Sequence, residues 1–300
     1  MKIKAWIQAF RFRTLPLAFS CILMGAFTAL VDEAFDWEIL SWSLLTTLFL
    51  QILSNLANDY GDASSGVDGA HRTGPKRTVS SGLITKKEMR NALIVFSLLS
   101  LASGIYLIWI AFGTQWSRVL VFLILGIGAI AAAIKYTVGK KPYGYAGFGD
   151  LFVLIFFGLV GVGGSYFLYT NMLDPIIMLP ALGCGFLAVG VLNVNNIRDI
   201  DSDKASGKFS IPVRIGRPNA IIYHWFLLLA APVCMVTYIV IKDLSFGSYL
   251  FLLVTPMLFF NGRAVKIKNT SEALDPYLKQ LALTTLLFVL LFGFGVMLFS

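Results

Sequence analysis

Two segments of the chain repeat amide and carboxylate side chains at a fixed spacing. One is Asn58-Asp59-Tyr60-Gly61-Asp62, followed by Asp68; the other is Asn195-Asn196-Ile197-Arg198-Asp199-Ile200-Asp201-Ser202-Asp203. Asn58 and Asp62 stand one helical turn apart, as do Asn195, Asp199 and Asp203 in succession, so on helices each set forms a stripe on one face. Asp201 falls off that stripe, toward solvent. Carboxylate and amide oxygens are hard ligands suited to Mg2+, an ion that keeps several waters and shares its shell with substrate phosphates. Basic residues lie close by in sequence: Arg72, Lys76 and Arg77 after the first segment, and Lys141, Arg198, Lys204, Lys208 and Arg214 around the second. Acids and bases together suit a phosphate bridged to protein by metal on one side and by Arg or Lys on the other. Helix-end capping explains either segment taken singly. Two matching Asn-x-x-x-Asp segments argue for one shared site.

Each segment begins where a long apolar run ends. An ionised group at the mouth of a membrane bundle is costly unless something binds it. The 300 residues are 57% hydrophobic and only 13% charged, and the mean hydropathy is +0.79, far from the composition of soluble domains. Taking roughly 17 to 25 apolar residues as a bilayer span, the sequence offers Leu15 to Val31, Ile39 to Ala57, Ala92 to Phe112, Val119 to Ala133, Leu151 to Thr170, Ile176 to Val194, Ala220 to Ile241, a short Ser248 to Phe260, and Leu281 to Phe299. The expected architecture is therefore all-α, a bundle of nine transmembrane helices. It is read as a single domain over 1–300, with two diverged halves of about 1–140 and 141–300 around one ligand site.

Lys and Arg are kept on the cytoplasmic side of short membrane loops. Of the 24 here, all but Arg118 and Lys242 fall in the N-terminal segment or in the loops that share its side. The other side carries Asp32, Glu33, Asp36, Glu38, Asp174 and Asp243. The expected orientation puts the N-terminus and both acidic segments in the cytoplasm. The net charge of +8 follows this rule and does not indicate a nucleic-acid partner. Arg11 and Arg13 before an apolar run superficially suggest a leader peptide, but no small-residue cleavage site follows, and the run reads as the first span. Cys21, Cys184 and Cys234 lie inside spans without paired spacing, so neither a disulfide framework nor a zinc site is expected. His71 and His224 have no partner at ligand spacing and read as structural. The 25 Phe and six Trp read mostly as packing and interfacial anchors.

The two acidic segments, with Gly66-Val67-Asp68 after the first and Gly207-Lys208 after the second, resemble the paired aspartate motifs of the UbiA-type intramembrane prenyltransferases. The resemblance covers nearly the whole chain. Within that superfamily three further stretches are similar to the branch that prenylates 1,4-dihydroxy-2-naphthoate for menaquinone: Arg13-Thr14-Leu15-Pro16, Arg72 to Gly82, and Lys141 to Asp150. The resemblance implies a central cavity open to lipid, Mg2+ as cofactor, and a polyprenyl diphosphate and an aromatic acceptor as substrates. It implies Asp62, Asp199 and Asp203 as catalytic. Asn58, Asp62, Asp199 and Asp203 would ligate metal, with Asp59, Asp68 and Asn195 in close support. Arg72, Lys76, Arg77 and Lys141 would meet the diphosphate, Arg13 the acceptor carboxylate, and Tyr136 or Tyr145 the acceptor pocket. Asn195 stands where many relatives have Asp. Two alternatives remain: the same enzyme with another acceptor such as 4-hydroxybenzoate, and a cation-coupled transporter, which would carry its acids near mid-bilayer.

Overall fold

A computed structural model describes residues 2–65, 77–139 and 142–299. Among them there is no strand, and nine helical segments are long and apolar enough to cross a membrane. The first combines α1 (Lys2–Phe10) and α2 (Leu15–Val31), joined through Arg11 in the left-handed region (φ 50°) and a 3₁₀ turn, Phe12–Thr14. The sequence reading starts the first span at Leu15, with a basic N-terminal segment before it. That segment forms a separate helix whose Ala5 and Ala9 are buried, with α1 lying against α3 (Trp37–Ser65). Asn55 of α3 donates from Nδ2 to the Phe10 carbonyl (2.9 Å) and to Thr14 Oγ1 (3.0 Å), fixing that corner.

Helix α4 (Lys86–Phe112) starts at a capping box, in which Thr85 and Glu88 each satisfy the other's backbone N–H. Helix α5 (Trp116–Lys135) runs back along α3 and α4 without burying a single residue fully. The fifth span is not uniform: α6 (Gly149–Val153) opens into a π-helical stretch, Leu154–Gly164, before α7 (Ser165–Thr170). Gly158 in that stretch faces α8 (Met178–Arg198) so closely that a Cβ would stand 2.7 Å from the Ala181 carbonyl. Membrane helices pack through such small-residue contacts, because lipid supplies no hydrophobic drive between them.

Helix α8 stops at Arg198 and α9 (Ile200–Ala205) restarts beyond Asp199. Helix α10 (Ile211–Ile241) carries a non-helical break at Gly216 (φ 75°, ψ 158°). The short eighth run is extended at both ends. A 3₁₀ helix, Phe246–Val254, leads into α11 (Thr255–Ile267), giving 22 residues. At the 3₁₀ and α rises these reach roughly 37 Å, enough for the hydrocarbon core. Helix α12 (Ser271–Phe299) closes the bundle against α2, α8 and the 3₁₀ segment. The main core joins α2, α8, α10 and α12 through side chains such as Met24, Leu187, Leu228, Phe288 and Phe292. A smaller one joins α1, α3 and α4 through Leu53, Leu56 and Met89.

Candidate active site

Both acidic segments line one cavity of about 570 Å³ at one end of the bundle. Asn58, Asp59 and Asp62 come to it from α3, and Asn195, Asp199 and Asp203 from the α8–α9 corner. Arg13, Arg77, Lys208, Tyr136 and Tyr145 share the wall. Gln51, Asn55, Asn58 and Tyr136 also border a second, largely apolar cavity of about 400 Å³ that continues between α3, α4, α5 and the π-helical stretch. The first is a polar head chamber. The second is a greasy extension with room for an aliphatic tail.

The first segment lies on a continuous helix, as its spacing demands. Asp62 is ion-paired with Arg77 Nη2 and accepts the Tyr145 hydroxyl (2.5 Å). Asp59 faces the turn after the loop: its Oδ2 accepts both the Thr78 hydroxyl (2.6 Å) and the Thr78 N–H (3.1 Å). Its Oδ1 is buried with no hydrogen-bond partner among the described residues, a costly condition for a carboxylate oxygen. Asn58 Oδ1 accepts the Thr137 hydroxyl (3.2 Å). Gly61 is required here, since a Cβ would stand 2.6 Å from the Thr137 carbonyl.

The second segment departs from the expected single stripe. Asp199 lies outside helical geometry (φ −102°, ψ 10°). The cause is its neighbour: Arg198 Nε and Nη2 grip the two Asp199 oxygens at 2.8 and 2.7 Å, while Nη2 also reaches Asn195 Oδ1 (2.9 Å) and Nη1 reaches Asp275 Oδ1 (2.6 Å). The backbone still steps by four, from Asn195 O to Asp199 N and from Asp199 O to Asp203 N. Hence the three side chains reach one chamber despite the break. Asp203 is paired with Lys208 Nζ (3.1 Å). Burial pushes the Asp203 carboxyl above its ordinary value, and Lys208 opposes that shift. Asp201 is exposed, as its position off the stripe implied.

The segment from Pro142 to Phe148 joins the two sides. Tyr145 reaches Asp62 with its hydroxyl and accepts the Phe209 N–H at its carbonyl (2.8 Å), and Arg214 Nη2 donates to the Ala146 carbonyl (2.7 Å). Tyr136 and Tyr143 pack edge to face (5.4 Å), and Tyr143 stacks on Phe152 (4.0 Å). Burial drives the phenols of Tyr136 and Tyr143 far above their ordinary value, so both stay neutral. The neck between the chambers is thus walled by electron-rich, uncharged rings.

The sequence matches the UbiA prenyltransferase family over residues 18–286. The chain belongs to that family. It is 44% identical over 297 residues to the 1,4-dihydroxy-2-naphthoate octaprenyltransferase of Escherichia coli, and 43% identical over 298 residues to that of Haemophilus influenzae. Each alignment covers 99% of this chain and 96% of the relative. The fold is also that of a UbiA homolog from Archaeoglobus fulgidus, solved bound to DMAPP and Mg2+. That likeness has a TM-score of 0.61 at 18% identity and covers 95% of this chain and 98% of the other. The protein is a multi-pass membrane prenyltransferase, and the transporter alternative is set aside. Its motif acids end spans instead of interrupting them.

Among the residues expected in this UbiA-family site, Arg13, Asn58, Asp59, Asp62, Arg77, Tyr136, Tyr145, Asn195, Asp199 and Asp203 all line the head chamber. Asp68, Arg72, Lys76 and Lys141, with His71, lie outside the described residues. Three lining or supporting residues escaped the sequence reading. Gln51 and Asn55 continue the Asn58–Asp62 face up α3 into the span, with Gln51 Nε2 on Thr14 Oγ1 (3.0 Å). Their signal was available, since amides inside an apolar run are rarely idle. Asp275, on α12, gave none: it is one acid in a basic loop. His224 is buried against Asn261 (2.9 Å), a packing role as expected. No three acidic, His or Cys side chains converge on one point among the described residues.

Proposed function

We propose that the protein transfers a polyprenyl group from an allylic polyprenyl diphosphate to 1,4-dihydroxy-2-naphthoate, releasing diphosphate and CO2 and giving a demethylmenaquinol. The observation that carries this reading is the meeting of two oxygen-rich walls and several cations in a chamber continuous with an apolar one. The nearly full-length similarity to the two naphthoate octaprenyltransferases supports the acceptor. The excess of Lys and Arg on the chamber's side supports a cytoplasmic site in the cytoplasmic membrane.

Mg2+ fits the donor set. No cage of three acids exists among the described residues, but Mg2+ commonly takes one or two carboxylates and completes its shell with waters and phosphate oxygens. Asp59 Oδ1, buried with no partner among the described residues, is a further oxygen beside the Asn58–Asp62 face. Asn58, Asp62, Asp199 and Asp203 would hold the ion, with Asp59 and Asn195 bracing them and Asp68, outside the described residues, as an expected support. When bound, Mg2+ neutralises the diphosphate and improves it as a leaving group.

Arg77 and Lys208, with Arg72, Lys76 and Lys141 as expected partners, offer the diphosphate further positive charge. The allylic C–O bond then breaks with its electron pair on the diphosphate, and the prenyl carbon becomes cationic. The neutral rings of Tyr136 and Tyr143 present negative faces to that cation without competing as nucleophilic phenolates. The acceptor ring donates a pair to the prenyl carbon at the position bearing its carboxylate, which Arg13 would meet. The bond to the carboxylate returns its pair to the ring as CO2 leaves. No protein base is needed at that carbon.

Purified membranes should be given a labelled long-chain prenyl diphosphate with either 1,4-dihydroxy-2-naphthoate or 4-hydroxybenzoate, following product mass with and without chelator. A prenylated, decarboxylated naphthoquinol that disappears with chelator is expected. Product from 4-hydroxybenzoate alone would overturn the acceptor and keep the reaction class.

A further inference from the structure

The guanidinium of Arg198 occupies both oxygens of Asp199, the carboxylate that the metal-dependent reading requires to be available. Arg198 is itself only 8% exposed. A buried cation stripped of its carboxylate is strongly disfavoured. Asp199 therefore cannot turn to another cation unless Arg198 keeps a second anionic partner.

Asp275 is that partner. It enters from the first turns of α12, holds Arg198 Nη1 at 2.6 Å through Oδ1, and lies 3.6 Å from Arg13 Nη1 through Oδ2. The Ser271 hydroxyl donates to the Arg198 carbonyl (2.8 Å), so the same helix end secures the backbone of the arginine as well. Asp275 does not line the head chamber, although both of its arginines do.

Resting on the reading above, we infer that Asp275 is a positioning residue which retains Arg198 at the chamber wall when Asp199 exchanges that arginine for a divalent cation. Exchange then costs the two charge-assisted hydrogen bonds to Asp199 and leaves no bare buried cation. The released face of Arg198 turns toward the space a diphosphate would fill. The second motif thus has an arginine that substitutes for metal before loading and is parked on α12 afterwards.

The test uses the full chain in detergent without substrates, with Mn2+ as probe and free Mn2+ read by electron paramagnetic resonance. Asp275→Asn should weaken Mn2+ binding about tenfold, the scale of one charge-assisted contact, and Asp275→Glu should stay close to the parent protein. Adding Arg198→Gln to Asp275→Asn removes the stranded cation, so affinity should recover. Unchanged affinity in Asp275→Asn overturns the inference, as does failure of the double variant to recover. A parent protein that binds no Mn2+ before substrate enters overturns the exchange inferred here, whereas the metal reading fails only if product formation survives chelator, so the two failures are distinguishable.

Discussion

The two Asn-x-x-x-Asp motifs share a spacing and differ in how the fold holds them. On α3 the helix is unbroken, and the motif is braced from one side by Arg77 on Asp62 and Thr78 on Asp59. At the α8–α9 corner the helix breaks at Asp199, and the brace comes from inside the motif and from α12, through Arg198 and Asp275. Equal spacing therefore does not mean equal local structure. What the two have in common is that every motif aspartate facing the chamber is met by a cation or a hydroxyl of the chain itself before any ligand enters.

The largest effect should come from removing a facing charge on either wall. Asp62→Asn and Asp199→Asn are each expected to lower turnover by on the order of 10²–10³-fold or more, measured as labelled product per unit protein. Near-normal activity in one of them would reduce the site to a single motif. Metal removal should act on both walls together: chelator abolishes product formation, and added Mg2+ restores it.

A smaller, one-sided effect is expected for Thr78→Val, which deletes the hydroxyl on Asp59 but leaves the second motif intact. Because Oδ2 keeps the Thr78 N–H, the loss is one hydrogen bond to a charged group, about 1.5–3 kcal/mol of stability, visible as a lower melting temperature in detergent. A variant as stable as its parent would mean the brace on α3 lies elsewhere.

The smallest effect belongs to the opposite end of the bundle. Lys242 pairs there with Asp32 (3.0 Å) and Asp174 (2.9 Å). Burial pushes the Asp174 carboxyl up, but the hydrogen bonds from Lys242 and the Ile176 N–H outweigh it, and the result lies below the ordinary carboxylate value. Burial likewise works against the Lys242 ammonium, yet its two acids raise it above the ordinary lysine value. A lowered carboxylate stabilises above its unfolded pKa and loses that as pH falls; a raised ammonium stabilises below its unfolded pKa and loses that as pH rises. The clamp thus contributes between about pH 4 and pH 10. Lys242→Met should leave turnover within about twofold and flatten the pH dependence of the melting temperature at both edges.

Much of this was legible before the structure. Long apolar runs ending in Asn and Asp disclosed the spans and both motifs, because hydropathy and the cost of a carboxylate at a membrane mouth are local properties of sequence. The break at Asp199 was not legible, since it depends on a guanidinium folding back on its own neighbour and on an acid 77 positions away. Nor was the reach of the eighth span, whose helix runs past the apolar stretch to Phe246 and Ile267. Tyr145 was placed near the acceptor by resemblance, while its geometry ties Asp62 to the segment after the second motif. Contacts between distant segments decide such roles, and spacing along the chain does not record them.

The most direct test of a shared site is a structure of the full chain with Mn2+ and an unreactive prenyl thiodiphosphate, locating the ion by its anomalous scattering. Metal and diphosphate lying between Asp62 on one wall and Asp199 with Asp203 on the other is the result expected. Metal bound at one motif alone, with the other motif's ion pairs undisturbed, would contradict it.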